Sequence, residues 1–209
     1  MHKRNILQGG LPIEDAKYAM IMVHGRGGDA RGIMDIAQYL QLDNFALLAP
    51  QATNSTWYPY SFLQPAKENE PWLSAAIQTV HSLMEKIIEK GIPSDKIYLL
   101  GFSQGACLTL ESVARKAQRF GGVIAFTGGL IGDVINRDNY SGDFKSCPVF
   151  IGSGDPDPHI PVQRVKESAI VLHNMGAAVT AEIYPGIGHT ITREELDWVN
   201  NHMLPPKNL

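Results

Sequence analysis

Apolar residues in this chain follow two spacings. Short unbroken runs occupy positions 19–24, 45–50, 96–102, 122–127, 148–153 and 179–184. Most lack two-residue alternation, which is the mark of parallel strands buried on both faces. Between the runs the spacing turns helical. Leu73, Ile77, Val80, Met84 and Ile87 recur at steps of four, three, four and three, one stripe along a helix that Gly91 and Pro93 end. A last helix opens at Thr192-Arg-Glu-Glu195, a capping-box pattern, with Ile191 and Leu196 placed as a hydrophobic staple. Its inward stripe is Leu196, Val199 and Met203.

Strand and helix therefore alternate, which predicts the α/β class: an open, mostly parallel central sheet with helices on both faces. Such sheets bind ligands beyond the carboxyl ends of their strands, so chemistry is sought just after each run. The chain of 209 residues suits one domain spanning 1–209. The segment 128–146 is loop-rich and at most carries a short helix, too small for a lid domain.

Composition narrows the class. The chain is 44% hydrophobic and 19% charged, with a net charge of −3 and no Lys/Arg cluster. Nothing in it calls for a nucleic acid or an anionic membrane as partner. The N-terminal MHKRNILQGGLP lacks the apolar core of a signal peptide, and the longest apolar runs fall far short of the ~20 residues that span a bilayer. Cys107 and Cys147 form no metal-like cluster and fit a reducing cytoplasm.

The stretch MIMVHGRGGDARGI, residues 20–33, ends an apolar run in a glycine-rich turn. From Gly25 it fits G-x-G-x-x-A, a dinucleotide fingerprint, but that fold wants an acidic residue about 20 positions on. Pro50 and Gln51 stand there instead, and no Gly-Lys-Ser/Thr follows for a phosphate loop. A stronger signal lies in KIYLLGFSQGACL, where Gly101-Phe-Ser103-Gln-Gly105 reads G-x-S-x-G between an apolar strand and a helix of small residues. That is the pattern of a nucleophile elbow, which lifts a serine hydroxyl above the sheet and aims the next amide, that of Gln104, at a developing oxyanion.

A serine hydroxyl needs a base. His81, His173 and His202 fall within predicted helices and His2 in the N-terminal tail; all four read as surface residues. His24 ends the first strand, before the serine in the chain, and reads as a brace for its loop. His189 follows the last strand on a glycine-punctuated loop, IYPGIGHTITREE, and is the predicted base. The imidazole in turn needs a carboxylate, and GSGDPDPHIP offers two, Asp155 and Asp157, after the preceding strand. Either gives the order Ser, Asp, His of α/β-hydrolases. The early loop HGRGG then supplies the second oxyanion donor, the amide of Arg26.

These pieces resemble the phospholipase/carboxylesterase family of small α/β-hydrolases, which includes acyl-protein thioesterases. The matching segments are HGRGG, APQATNSTWYPYSF, NEPWLS, GFSQGACL, GSGDPDPHIP and YPGIGHTI, in the family's order and over almost the whole chain. The resemblance implies the α/β-hydrolase fold without a lid, assigns the acid to Asp157, and implies a homodimer. The segment NEPWLS is similar to the bacterial carboxylesterase branch. His159 stands where the family usually has an apolar residue, and HGRGG replaces the thioesterases' HGLGD.

The expected activity is hydrolysis of carboxylic esters or thioesters of short to medium acyl chains through an acyl-enzyme, with no metal or cofactor. Trp57, Tyr58 and Phe62 are expected at the mouth, Leu130 on the other side, and His159 in reach of substrate. The alternatives are an acyltransferase or a lactone or thioester hydrolase on the same residues, or a ligand-binding protein that kept the fold and lost catalysis.

Overall fold

The computed structural model describes residues 5–206; His2 lies outside them. Seven strands form one sheet: β1 (Ile6–Gly10), β2 (Tyr18–Val23), β3 (Phe45–Pro50), β4 (Ile97–Phe102), β5 (Gly122–Phe126), β6 (Pro148–Asp155) and β7 (Ala178–Pro185). Their spatial order is β1-β3-β2-β4-β5-β6-β7. All neighbours pair in parallel except β1, which runs antiparallel to β3 from Ile6 opposite Pro50 to Gly10 opposite Ala46. The helices are α1 (Ala30–Met34), α2 (Trp72–Glu89), α3 (Gln104–Arg115), α4 (Val162–Asn174) and α5 (Arg193–His202). No described helix is long and apolar enough to cross a membrane.

The unbroken apolar runs have a simple cause. Along β2, Ala19, Ile21 and Val23 enter one core, shared with α2, α3 and α4 residues such as Val80, Leu108 and Val165. Met20 and Met22 enter the other, with Ile33 of α1 and Leu196 of α5. Both faces of the sheet are covered, so both phases of each central strand must be apolar. The stripe from Leu73 to Ile87 is buried on α2, and Gly91 follows at φ +99°, the left-handed conformation that stops a helix.

Two expectations change. The strand β1 was not predicted: ILQGG is short, has only two apolar side chains and ends in two glycines, and it survives only as a half-exposed edge. The other edge, β7, has no fully buried residue. His81 is not a surface residue but is 5% exposed, because α2 packs on α3 and the ring's Nε2 donates to the Ser112 carbonyl at 2.8 Å. Segment 128–146 is loop-rich as expected, with one short 3-10 turn at Arg137–Asn139.

Candidate active site

The central strand β4 ends at Phe102, and α3 begins at Gln104. Ser103 bridges them at φ +55°, ψ −120°, a conformation side chains rarely adopt, and its amide is held by the Phe126 carbonyl at 3.0 Å. The flanking glycines are needed for space. A Cβ at residue 101 would overlap the Gly105 backbone, and one at residue 105 the carbonyls of Val23 and His24. The tight turn thus sets the hydroxyl at the amino end of a twelve-residue helix, whose dipole favours negative charge.

His189 lies on the loop after β7, between Gly186–Gly188 and the capping box of α5, in which Thr192 Oγ1 accepts from the Glu195 amide. Its Nε2 is 2.8 Å from Ser103 Oγ, and its Nδ1 is 2.8 Å from Asp157 Oδ2. With the Nδ1 proton donated to the carboxylate, Nε2 is left as acceptor for the serine proton. The other oxygen of Asp157 accepts from the amides of His159 at 2.7 Å and Ile160 at 3.0 Å. The Asp157 side chain is fully buried while that of His189 is 20% exposed. Burial alone would raise the Asp157 pKa. Hydrogen bonds from the His159 amide, the His189 ring and the Ile160 amide outweigh it and hold the carboxyl below its ordinary range. Asp155 is exposed at the end of β6, and its carbonyl accepts from the Gly186 amide of the histidine loop at 2.7 Å.

Of the two predicted oxyanion donors, Gln104 is the first residue of α3, where an amide has no partner within the helix. Among the described residues neither its amide nor that of Arg26 meets a backbone carbonyl, although Gly27, Gly28 and Ser103 all do. His24 braces the same loop. Its Nδ1 donates to the Gly25 carbonyl at 2.7 Å and its Nε2 accepts from the Ala52 amide at 3.1 Å.

A cavity of about 570 Å³ opens over Ser103 and His189, walled by Tyr58, Phe62, Leu63 and Ile160. His159 lines it too, its ring edge-on to His189 with centroids 4.8 Å apart. Trp57 and Leu130 do not line it; both are wholly buried. The Trp57 indole is drawn inward by a 2.8 Å bond from Nε1 to the His24 carbonyl. Leu130 is pinned by its amide to Ser168 Oγ and by its carbonyl to Arg164 Nη1. Leu63 and Ile160 escaped sequence reasoning, though Ile160 follows Asp157 closely enough that the acid loop itself was the available signal. The Cys107 thiol borders the cavity, but burial pushes its pKa up to about 12, so it is no competing nucleophile.

Comparison with known proteins agrees with this architecture. Residues 10–204 match the phospholipase/carboxylesterase family. A probable carboxylesterase of Oryza sativa subsp. japonica is 27% identical, over 88% of this chain and 77% of that protein. The acyl-protein thioesterase 1 of Debaryomyces hansenii is 30% identical, over 87% of this chain and 88% of its own. The crystal structure of a phospholipase/carboxylesterase from Dyadobacter fermentans superposes with a TM-score of 0.96 at 51% identity, covering 98% of both chains. The chain belongs to the phospholipase/carboxylesterase family of α/β-hydrolases, a family of ester-cleaving enzymes.

Proposed function

We propose that this protein is a serine carboxylesterase acting on short-to-medium acyl esters. His189 takes the Ser103 proton as the oxygen attacks the substrate carbonyl. The amides of Arg26 and Gln104 receive the oxyanion of the tetrahedral intermediate. Asp157 fixes the ring's tautomer and stabilises the imidazolium. His189 then protonates the leaving alcohol and, in the second half, activates the water that releases the acid from Ser103. The apolar wall of Tyr58, Phe62, Leu63 and Ile160 suits an acyl chain. A thioester meets the same needs, and the thioesterase relative supports testing one. Two buried thiols, Cys107 and Cys147, suit a reducing compartment such as the cytoplasm.

The observation that carries this reading is the series Ser103–His189–Asp157, with both links at 2.8 Å. A fluorophosphonate probe should label the protein, and p-nitrophenyl butyrate should be hydrolysed. Ser103→Ala should abolish both, since removing the nucleophile of such a unit costs on the order of 10⁶ in turnover. Labelling that persists in Ser103→Ala would place the nucleophile elsewhere.

A further inference from the structure

The early loop poses a positional problem. Its candidate oxyanion amide, at Arg26, is flanked by Gly25 and by Gly27 and Gly28, and Gly27 sits at φ +77°. Glycines impose little on the backbone and lose the most freedom when it is fixed. The turn is closed by the Gly28 amide on the Gly25 carbonyl at 3.1 Å and tied outward by the Gly27 amide on the Ser55 carbonyl at 2.7 Å. Among the described residues the Arg26 amide between them makes no such bond, so any further alignment of it has to come from outside the turn.

The Arg26 side chain reaches beyond the turn to the pocket wall. Its Nη1 donates to the Pro59 carbonyl at 2.8 Å, and its Nη2 to the carbonyls of Tyr58 at 2.9 Å and Tyr60 at 2.7 Å. The wall it grips is itself anchored. The Tyr60 amide donates to Oδ1 of the fully buried Asn69 at 2.8 Å, whose Nδ2 donates to the Ser61 carbonyl at 3.1 Å. From the opposite side, the Gln104 side chain holds the same wall. Its Nε2 donates to the Tyr58 carbonyl at 2.8 Å and its Oε1 accepts from the Trp57 amide at 2.9 Å. The two residues whose amides would form the oxyanion hole thus meet, through their side chains, at one shared acceptor, the Tyr58 carbonyl.

We propose that the Arg26 guanidinium is a positioning residue for the oxyanion hole: by binding three successive carbonyls of the pocket wall it fixes the orientation of its own amide relative to that of Gln104. This rests on the hydrolase reading above. The planar, forked guanidinium suits the task, because its two terminal nitrogens reach carbonyls that a lysine ammonium, a point donor, cannot span together. Arg26 is exposed, so its loss opens no hole in the core.

The test is steady-state kinetics of Arg26→Ala and Arg26→Lys on p-nitrophenyl acetate, together with the second-order rate of fluorophosphonate labelling. Wild type and Ser103→Ala serve as references, and thermal melts of all four accompany them. The expected result for Arg26→Ala is a kcat lowered about 10- to 100-fold, less than the about 10²–10³ lost with a donor outright. KM should stay within about threefold of wild type, and labelling should slow in parallel with kcat. Arg26→Lys should fall between the two. If Arg26→Ala melts early, Arg26→Lys carries the same test, read as a fall in kcat at wild-type melting temperature. A wild-type kcat in the variants, or a loss confined to KM, overturns the positioning role while leaving the esterase reading intact. A wild type that neither labels nor turns over, or a Ser103→Ala that does, overturns the esterase reading itself.

Discussion

The two halves of the site are built in different ways. Ser103 stands at mid-sheet, just after β4, which lies between β2 and β5 and has every residue but Phe102 buried. The loops around it are sewn together by side-chain bonds from His24, Arg26 and Gln104 to backbone. Asp157 and His189 stand instead on loops after β6 and β7, at a sheet edge whose last strand has no fully buried residue. What orders that half is a short chain of bonds: two amides to Asp157, Asp157 to the ring, the ring to Ser103. The difference follows the chemistry. Dipoles that stabilise an oxyanion help only if they are aimed before the charge appears. A ring that passes a proton from serine to leaving group needs only its tautomer and its two partners.

If that division is right, the edge half should be sensitive in charge and the central half in shape. The largest effect belongs to Asp157→Asn, which keeps the side-chain outline but removes the charge that sets the His189 tautomer. Turnover should fall by about 10⁴, as it does when a serine triad loses its acid in this way. Asp155→Asn should turn over at the wild-type level. The comparison would break if the two variants exchanged behaviour in the same p-nitrophenyl ester assay.

A smaller effect separates the halves by packing. A Cβ at residue 105 would meet the Val23 and His24 carbonyls, backbone atoms that cannot swing away, whereas one at residue 188 would meet nothing within 4 Å. Gly105→Ala should therefore lose about 1–3 kcal/mol or more of stability. Gly188→Ala, one residue from the histidine, should stay within about 0.5 kcal/mol of wild type. Chemical denaturation of the two variants side by side decides it, and equal losses would show the edge to be as tightly built as the centre. Thr192→Ala comes next. It removes the hydroxyl that caps α5 just beyond the histidine loop and should cost about 1 kcal/mol in the same measurement.

The contrast also explains what could be read from the chain alone. Ser103 and His189 are legible because an elbow and a glycine-rich loop each follow an apolar run, and parallel topology brings all such loops to one rim. Asp155 and Asp157 are not separable by residue type, since one ends β6 and the other stands two residues on, and only the turn geometry decides which meets the ring. Trp57 and Leu130 show the limit of position along a strand: it tells on which rim a loop lies, not how deep a side chain sinks. The sinking of Trp57 depends on a bond to the His24 carbonyl, 33 positions away in the chain. His81 sits beside Val80 in the buried stripe, and its polarity disguised a ring whose proton goes to a neighbouring helix.

The smallest expected effect is one of proton balance, and it places the two halves in separate pH windows. Burial pushes the His24 pKa below its ordinary 6.5, against weaker upward pulls from the Gly25 carbonyl and Asp29. The bonding agrees: Nε2 accepts from the Ala52 amide and faces Gln51 Nε2 at 3.4 Å, so a second proton there would meet two donors. An unfolded His24 takes up a proton as pH falls past its ordinary value while the folded one resists. Stability is therefore whole above that value and declines as pH drops toward the folded pKa. His81, also lowered by burial, adds to the same window. Asp157 behaves in the other sense of charge. Held below its ordinary 3.8, its carboxyl contributes stability that is present above that value and is lost only as pH falls through the still lower folded pKa. Melting temperature followed from pH 7.5 down to pH 3 should thus show His24→Asn flattening the upper part of the decline, and Asp157→Asn only the most acidic part. A His24→Asn curve parallel to wild type between pH 7 and 5 would mean that the ring bracing the early loop is as free to charge as one in water, and the central half would lose its claim to be the drier and stiffer of the two.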